Sequence, residues 1–207
     1  MPRRRRLNLN NKIKKTLNSM LKKKMEVKRE IQVHNVSIDN VGLTIPLMAL
    51  VASGTAHDQR IGNRVNMLSA TLRYMWALSD TGYNNTRISL IKVKVPLPPG
   101  GGAPVSTPPD FYENQSYTTF GGVYAQWNYD LVSKVYYDKN ITLNQFVSGA
   151  RVSKFNKAFV KMAQELNYDN VNGDSLLDGI YLVLSSDSTV IPHPTINLVT
   201  RCRYTDA

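Results

Sequence analysis

Hydrophobic and polar side chains alternate along much of the chain after residue 30. The longest such stretch covers residues 66–78, where every second position is apolar: Leu68, Ala70, Leu72, Tyr74, Trp76 and Leu78. A period of two over that length predicts a β-strand with one face in the core. Shorter candidate strands are residues 31–36, 44–51, 87–95, 131–137, 179–185 and 195–204. Turn-forming residues separate them, so the pattern predicts an all-β sandwich or barrel.

Two segments do not follow this pattern. The first has four apolar side chains at helical spacing: Phe155, Phe159, Met162 and Leu166. Its neighbours suggest strands, so the pattern leaves this segment undecided. Three lysines accompany it and would face solvent or an anion in either conformation: Lys154, Lys157 and Lys161. The second, residues 96–110, contains six prolines and three glycines. This composition predicts an irregular surface loop, either structural, at a subunit contact, or a PxxP-type ligand.

Before residue 30 the apolar residues recur at a spacing of four. They are Leu9, Ile13, Leu17, Leu21 and Met25. This spacing predicts a short amphipathic helix with most of its lysines on the other side. An isolated helix of this length is marginal in water, so we expect it to order only against polyphosphate or neighbouring copies. An unbroken run of four arginines precedes it, and we expect this run to stay disordered until an anion neutralises it.

The net charge is concentrated in the same N-terminal stretch. The 207 residues include 26 Lys and Arg and 15 Asp and Glu, which gives a net charge of +11. Residues 1–29 contain twelve of the cations and a single acid, Glu26, whereas residues 30–207 contain 14 cations and 14 acids. The sequence therefore predicts a basic arm, residues 1–29, attached to a neutral body, residues 30–207.

The chemistry of the arm fits a nucleic-acid backbone best. Ammonium and guanidinium groups displace counterions from phosphates, and an arm without aromatic residues cannot stack on bases. Binding should therefore be salt-sensitive and nearly independent of sequence. The candidate contacts are Arg3, Arg4, Arg5, Arg6, Lys12, Lys14, Lys15, Lys22, Lys23 and Lys24. Two alternatives stay open: a solvated tail that only aids solubility, and a helix that docks on a membrane surface or a calmodulin-like partner.

The sequence offers no clear catalytic or metal site. Common nucleotide-binding, zinc and nucleophile motifs are missing, and the three histidines are scattered: His34, His57 and His193. The pair His57–Asp58 is better explained as part of a polar loop, and Cys202, the only cysteine, as a small core residue. Three acids would approach a cation such as calcium only if loops converged, so solvated turns explain them more simply: Asp169, Asp174 and Asp178. We therefore expect no enzymatic activity and no cofactor.

Membrane insertion and secretion are not expected either. The longest apolar run, residues 45–52, is far shorter than the ~20 residues of a membrane span. The basic N-terminal stretch has no apolar segment behind it, unlike a secretory signal. We expect the protein to assemble inside a cell, with no membrane partner.

Four stretches, in order along the chain, carry a resemblance to a known family. SGTAHDQRIGNRVNMLSATLRYMW, residues 53–76, is similar to a G-x-x-x-x-x-R-x-G-x-x-[VI] turn that leads into a long strand. TRISLIKVKV resembles the next strand, VYYDKNITL (residues 135–143) a strand–turn–strand unit, and YTDA (residues 204–207) the end of the family's chain. With the arm, these stretches resemble the coat proteins of satellite tobacco necrosis virus and its relatives. The relatives include the capsid proteins of circular, Rep-encoding single-stranded DNA viruses.

The resemblance implies a single eight-stranded antiparallel jelly-roll sandwich, with strands also at residues 150–170. It implies self-assembly into a T=1 icosahedral shell of about sixty copies, with the arms inside on a single-stranded RNA or DNA genome. The protein would reside in the virion and assemble in the host cell, in the nucleus if the genome is DNA. Structural calcium at subunit contacts is implied by the resemblance alone, and no residue here matches its ligands. The loop at residues 96–110 has no counterpart in the family pattern.

The main alternative is a cellular nucleic-acid-binding protein with a basic tail. A receptor-binding or lectin-like jelly roll with an incidental tail is a third possibility. Cellular nucleic-acid-binding proteins usually have basic patches on the folded body as well, whereas this body has no net charge. That difference favours the coat protein.

Overall fold

The computed structural model describes residues 11–16, 26–48, 51–56, 58–78, 83–94, 111–113, 123–144, 153–168 and 179–206. These residues include eight strands: β1 (Lys28–Ser37), β2 (Leu43–Pro46), β3 (Arg64–Ala77), β4 (Tyr83–Val93), β5 (Val132–Asn144), β6 (Ser153–Asn167), β7 (Ile180–Ser186) and β8 (Thr195–Asp206). Every predicted strand overlaps one of them, and the all-β prediction is confirmed.

The strands pair in a nested order. β1 pairs with β8, β2 with β7, β3 with β6 and β4 with β5, all antiparallel. Antiparallel pairs β3–β8 and β4–β7 join these into two four-stranded sheets. The first sheet has the order β1-β8-β3-β6, and the second has the order β2-β7-β4-β5. β8, the last strand in sequence, thus lies inside the first sheet.

The two sheets pack against each other around one hydrophobic core. Leu72, Tyr74 and Trp76 of β3 are at most 1% exposed and belong to the same buried cluster as Leu90 of β4 and Leu184 of β7. Burial of each such side chain contributes about 1.5–3 kcal/mol. The predicted alternation of β3 therefore reflects one face in the core and one face outside.

β3 departs from its predicted pattern near its start. The alternation predicts Leu68 on the core side, but Val65 and Met67 are fully buried instead. The ladders to β6 and β8 both shift register between Met67 and Ser69. A bulge at this point adds one residue and exchanges the two faces of the strand. The prediction for Leu68 is wrong because nothing in the alternation marks the bulge.

The predicted strand at residues 44–51 is too long. β2 ends at Pro46, which cannot donate a ladder hydrogen bond, and Met48 follows with φ of 67°. A left-handed residue turns the backbone away from the extended direction. The strand is therefore confined to the sheet edge beside β7.

The strand–turn–strand unit that the resemblance implies at residues 135–143 is wrong. β5 continues without interruption through Asp138, Lys139 and Asn140. In the ladder to β4, Asp138 lies opposite Ser89 and Asn140 lies opposite Arg87. These polar residues look like a turn in sequence, but the β4 side chains opposite them supply partners within a strand.

The undecided segment at residues 153–167 is the strand β6, which pairs with β3 along its length. Phe155 and Phe159 are exposed, whereas Met162 and Leu166 are buried. A spacing of four keeps two residues on one face of a strand as well as of a helix. Phe155 and Phe159 are at odd positions, and Met162 and Leu166 are at even positions, so in a strand the two pairs lie on opposite faces. In a helix all four side chains would lie on one face.

A second apolar cluster covers the outer face of the second sheet. Residues 111–113 and 123–131 lie over this face and pack on β4, β5 and β7. The cluster consists of Ile91, Val93, Phe111, Tyr112, Trp127, Val132, Tyr181 and Val183. β7 is consequently buried on both faces.

An ion pair between the buried Arg87 and the partly exposed Asp138 lies at the edge of this cover. Arg87 Nε and Nη2 donate to the two carboxylate oxygens of Asp138 at 2.8 and 2.6 Å. Ser89 Oγ and Trp127 Nε1 donate to the same carboxylate at 2.8 and 2.9 Å. The guanidinium also donates to the carbonyl of Ala125 and lies 4.6 Å from the centre of the Trp127 ring. The pair thus fastens the covering segment to β4 and β5.

Candidate nucleic-acid interface

The outer face of the first sheet forms an ordered array of cations and apolar side chains. One row across the four strands consists of Ile31, Arg201, Thr71 and Phe159, and the next consists of Val33, Val199, Arg73 and Lys157. Residues two apart on a strand point to the same side, about 6.6 Å from one another. These positions alternate with the core residues of the same strands, so their outward direction follows from the fold. We call this array the basic face.

Besides Arg64, six exposed cations lie on the basic face: Arg29, Arg73, Lys157, Lys161, Arg201 and Arg203. Within the described part of the chain, none of the six forms an ion pair. Arg29 lies opposite Arg203, and Arg73 lies opposite Lys157. Like charges directly opposite each other in a sheet are destabilising. A bound polyanion would relieve this repulsion.

The only described acid on the basic face is Glu165, near one end of β6, where it lies 3.7 Å from Arg64. The other described acids of the body lie in loops, at strand ends, on the inner side of β1 or in the pair with Arg87. The zero net charge of the body is therefore a sum over separated regions. Neutrality of the whole does not separate a coat protein from a cellular nucleic-acid-binding protein, because this body has a basic patch.

Two open depressions lie on the basic face. The larger, about 310 Å³, is lined by Val27, Lys28, Arg29, Arg201 and Arg203. The smaller, about 120 Å³, is lined by Ile31, Thr71, Arg73, Val199 and Arg201. Arg201 lines both, so the two depressions are adjacent on the face.

The arm joins the body beside the larger depression. Lys28 is 2% exposed, and its Nζ donates to Asp206 Oδ2 at 2.8 Å and to the carbonyl of Gln59 at 2.7 Å. Arg29, the next residue, points to the basic face. The last two cations of the predicted arm therefore lie in β1, one as an internal anchor and one on the basic face.

The predicted contacts in the arm fall into two groups. Residues 11–16 are helical, and Lys12, Lys14 and Lys15 are exposed there. Thr16 Oγ1 donates to the carbonyl of Lys12 at 3.0 Å. The remaining candidates lie outside the described residues: Arg3, Arg4, Arg5, Arg6, Lys22, Lys23 and Lys24.

Of the cations on the basic face, Lys157 and Lys161 were expected to face solvent or an anion, whereas Arg73, Arg201 and Arg203 were not singled out, although a signal for part of the set is present. β6 reads Phe155-x-Lys157-x-Phe159-x-Lys161, and β8 has Arg201 and Arg203 two residues apart. Once these segments are strands, a period of two places each set on one side. Summing the charge of the body concealed this order.

The R-x-G motif of residues 60–62 has a structural role. Arg60 is fully buried, and it donates to the carbonyls of Val51 and Gly62 and to Asn63 Oδ1. Its guanidinium lies 4.0 Å from the centre of the Tyr168 ring. Gly62 has φ of 81°, which glycine adopts without strain. The motif thus fixes the turn that leads into β3.

The two described histidines, His34 and His193, lie in different surroundings. His34 is half-buried on the inner side of β1, and burial lowers its pKa. His193 Nδ1 lies 3.1 Å from Ser188 Oγ, but that hydroxyl donates to the carbonyl of Val190, so the histidine is the donor in this pair. The pair therefore closes a turn between β7 and β8. His57 lies outside the described residues.

Cys202 is a core residue, as predicted. Its side chain is 2% exposed and belongs to the main hydrophobic cluster. Burial raises the pKa of the thiol to about 12, so it stays protonated and unreactive at neutral pH.

The described ranges contain neither a cluster of metal ligands nor a membrane-spanning helix. Within them, no three His, Cys, Asp or Glu side chains are grouped as metal ligands would be. Asp169, Asp174 and Asp178 lie outside these ranges. No helix in the described part of the chain is long and apolar enough to span a bilayer.

Comparison with known proteins gives no family assignment. No protein-family model matches this sequence, and no curated protein is significantly similar to it. Proposals about function therefore rest on the residues and the geometry.

Proposed function

We propose that this chain is the coat protein of a small icosahedral virus and that its shell packages a single-stranded nucleic-acid genome. The observation that carries the proposal is the one-sided distribution of charge. The arm joins the body at the edge of the basic face, so the cations of both parts can reach the same side. The wall of a nucleic-acid container needs this polarity, with a cationic side towards the genome.

The nested strand pairing supports a jelly-roll shell domain. Pairs 1–8, 2–7, 3–6 and 4–5 are those of a long antiparallel hairpin of four strand pairs. Rolling up such a hairpin brings strand 3 beside strand 8 and strand 4 beside strand 7, the two further pairs observed. Jelly rolls of eight strands are common in viral capsid domains. Fold alone does not give function, so this support is secondary to the charge distribution.

Packaging would be mainly electrostatic. Residues 1–27, which precede β1, contain ten cations and one acid. Their net charge in a shell of about sixty copies supplies roughly 540 positive charges for phosphate neutralisation. This suits a genome of the order of a thousand nucleotides or somewhat more. The partners are further copies of the chain and single-stranded RNA or DNA, and the location is the virion.

The alternative is a cellular nucleic-acid-binding protein with a basic tail. The basic face fits it as well, because both need contacts to phosphates on the folded body. The combination of that face with the nested pairing of eight strands, which is common in viral capsid domains, favours the coat protein. The two proposals differ in assembly. A coat protein makes heterologous contacts that close into a shell, whereas the alternative predicts monomers or small oligomers.

Electron microscopy of the purified full-length protein tests the assembly. Closed particles of uniform diameter are expected, and discrete monomers or small oligomers would contradict the coat function. Nuclease sensitivity of the packaged strand then identifies it as RNA or DNA.

Deletion of residues 2–24 tests the division of labour between arm and body. We expect the body to stay folded, because its core is formed by β1–β8, while packaging is lost or becomes irregular. Circular dichroism and the absorbance ratio at 260 and 280 nm report the two properties. An unfolded body with packaging intact would contradict the two-part organisation.

A further inference from the structure

β6 carries exposed aromatic and cationic side chains in strict alternation. Phe155, Lys157, Phe159 and Lys161 point to the same side of the strand. The two phenylalanines are 69% and 64% exposed, respectively. Large apolar rings that stay this exposed beside one another often mark a binding surface.

Cationic side chains that can bind an anion lie next to these rings. Lys157 lies between the phenylalanines on the strand, and Arg73 lies opposite Lys157 on β3. Phe159 lies opposite Thr71, which shares its row with Arg201. Each ring is therefore two residues from Lys157 on the same face of β6.

We propose that the basic face is a stacking platform for single-stranded nucleic acid. Bases stack on Phe155 and Phe159, while the phosphates of the same strand contact Lys157, Arg73 and Arg201. Single strands offer free base faces for aromatic stacking, whereas a duplex keeps its bases inside. The inference rests on the proposed nucleic-acid function and adds a second site to it, because the arm has no aromatic residue and is blind to bases.

Charge decides between this occupant and a second copy of the chain. Edge strands such as β6 can pair with another chain, and exposed rings favour such contacts. However, the same patch on two copies would bring like charges together, since cations alternate with the rings. A polyanion satisfies the cations and the rings at once.

The test compares two probes of equal charge and length with unassembled full-length protein. One is an oligothymidine of about ten nucleotides, and the other is an abasic deoxyribose-phosphate strand. At about 0.15 M salt, we expect tighter binding of the base-bearing strand by at least about fivefold per stacked base. In the double variant Phe155→Ala/Phe159→Ala this preference should disappear while affinity for the abasic strand is unchanged.

A matched control is available on the second sheet. Tyr83 is 69% exposed, the same fraction as Phe155, and it lies on β4. The variant Tyr83→Ala should keep the full preference for the base-bearing strand. Equal binding of the two probes by the unaltered chain, or a preference that survives the loss of both phenylalanines, would overturn the proposal.

Photo-cross-linking locates the site independently. A strand that contains 5-iodouracil should cross-link to the peptide that holds Phe155 and Phe159. Cross-links confined to other peptides would overturn the proposal, as would a phenylalanine variant that changes only the oligomeric state. If the protein forms shells but binds both probes equally, the coat function is supported and the stacking platform is wrong. If it prefers the base-bearing strand but forms no shells, the stacking platform is supported and the coat function is wrong.

Discussion

The outer faces of the two sheets are treated in opposite ways by the same chain. On the second sheet, residues 111–113 and 123–131 cover the face, and the buried Arg87 is paired with the partly exposed Asp138 at the edge of that cover. On the first sheet, six cations and two phenylalanine rings stay open to solvent. Within the described residues, the outer face of the second sheet packs against other parts of the chain, and the outer face of the first sheet does not. The difference indicates that the outer face of the first sheet is the side available to bind another molecule.

The comparison predicts its largest effect at the covered face. Asp138→Ala leaves the Arg87 guanidinium buried beside Trp127 without its carboxylate. Loss of the charged hydrogen-bond acceptor beside a buried guanidinium costs about 2–3 kcal/mol of unfolding free energy, less than for a fully buried pair because the Asp138 side chain is 31% exposed. Chemical denaturation measures the loss.

Arg73→Ala on the open face is the counterpart of that substitution. It should change the unfolding free energy by no more than about 0.5 kcal/mol, as expected for an exposed site. Similar losses at the two faces would show that the basic face is also held by partners within the chain.

A smaller effect is expected when the charge of the basic face is reduced. Each phosphate contact to a single strand contributes about 0.7 to the slope of log affinity against log salt concentration. The slope is negative, and the double variant Arg73→Gln/Arg201→Gln should therefore make it shallower by about 1.4. Fluorescence anisotropy at several salt concentrations measures it.

The control for this variant removes the same charge elsewhere. Lys94 and Lys134 are exposed, and they lie at the end of β4 and on β5 of the second sheet. Lys94→Gln/Lys134→Gln should leave the slope unchanged. An equal decrease in both double variants would mean that net charge alone governs binding.

The smallest effect is expected in acid. Burial would raise the pKa of Asp138, but hydrogen bonds from Arg87, Trp127 and Ser89 and the charge of Arg87 outweigh it and keep the pKa below its usual value. A depressed carboxyl pKa stabilises the fold above the unfolded-state value, and this contribution is lost as pH falls through the folded-state value. Unfolding free energy should therefore decline below about pH 4, and Asp138→Asn should flatten the decline. An unchanged acid profile would assign the loss to other carboxyls.

Much of the fold was predictable because most of its strands have one buried face and one exposed face. The period of two in residues 66–78 marked β3, and Cys202 between polar neighbours marked a core position. The bulge near Leu68 and the unbroken β5 were not predictable, because each depends on a neighbouring strand. Arg87 and Ser89 of β4 donate the hydrogen bonds to Asp138 that allow this polar part of β5 to lie within a strand.

The candidate site was predictable only in part. The clustered cations of the arm are visible in composition, whereas the basic face is assembled from four strands distant in sequence. Arg29, Arg73, Lys157 and Arg201 become neighbours only through the nested pairing. Pairing across such distances is the information that a local pattern does not contain.

The place of β8 in the first sheet also bears on synthesis. β8 pairs with β1 on one side and with β3 on the other, and Lys28 of β1 is bound to Asp206 at its end. A nascent chain whose residues 195–206 are still in the ribosome cannot complete this sheet. Folding of such non-local pairings is slow, while the arm emerges first. The basic arm is therefore available before the basic face has formed, so under the proposed function the arm would contact nucleic acid first and the basic face only after residues 195–206 have paired.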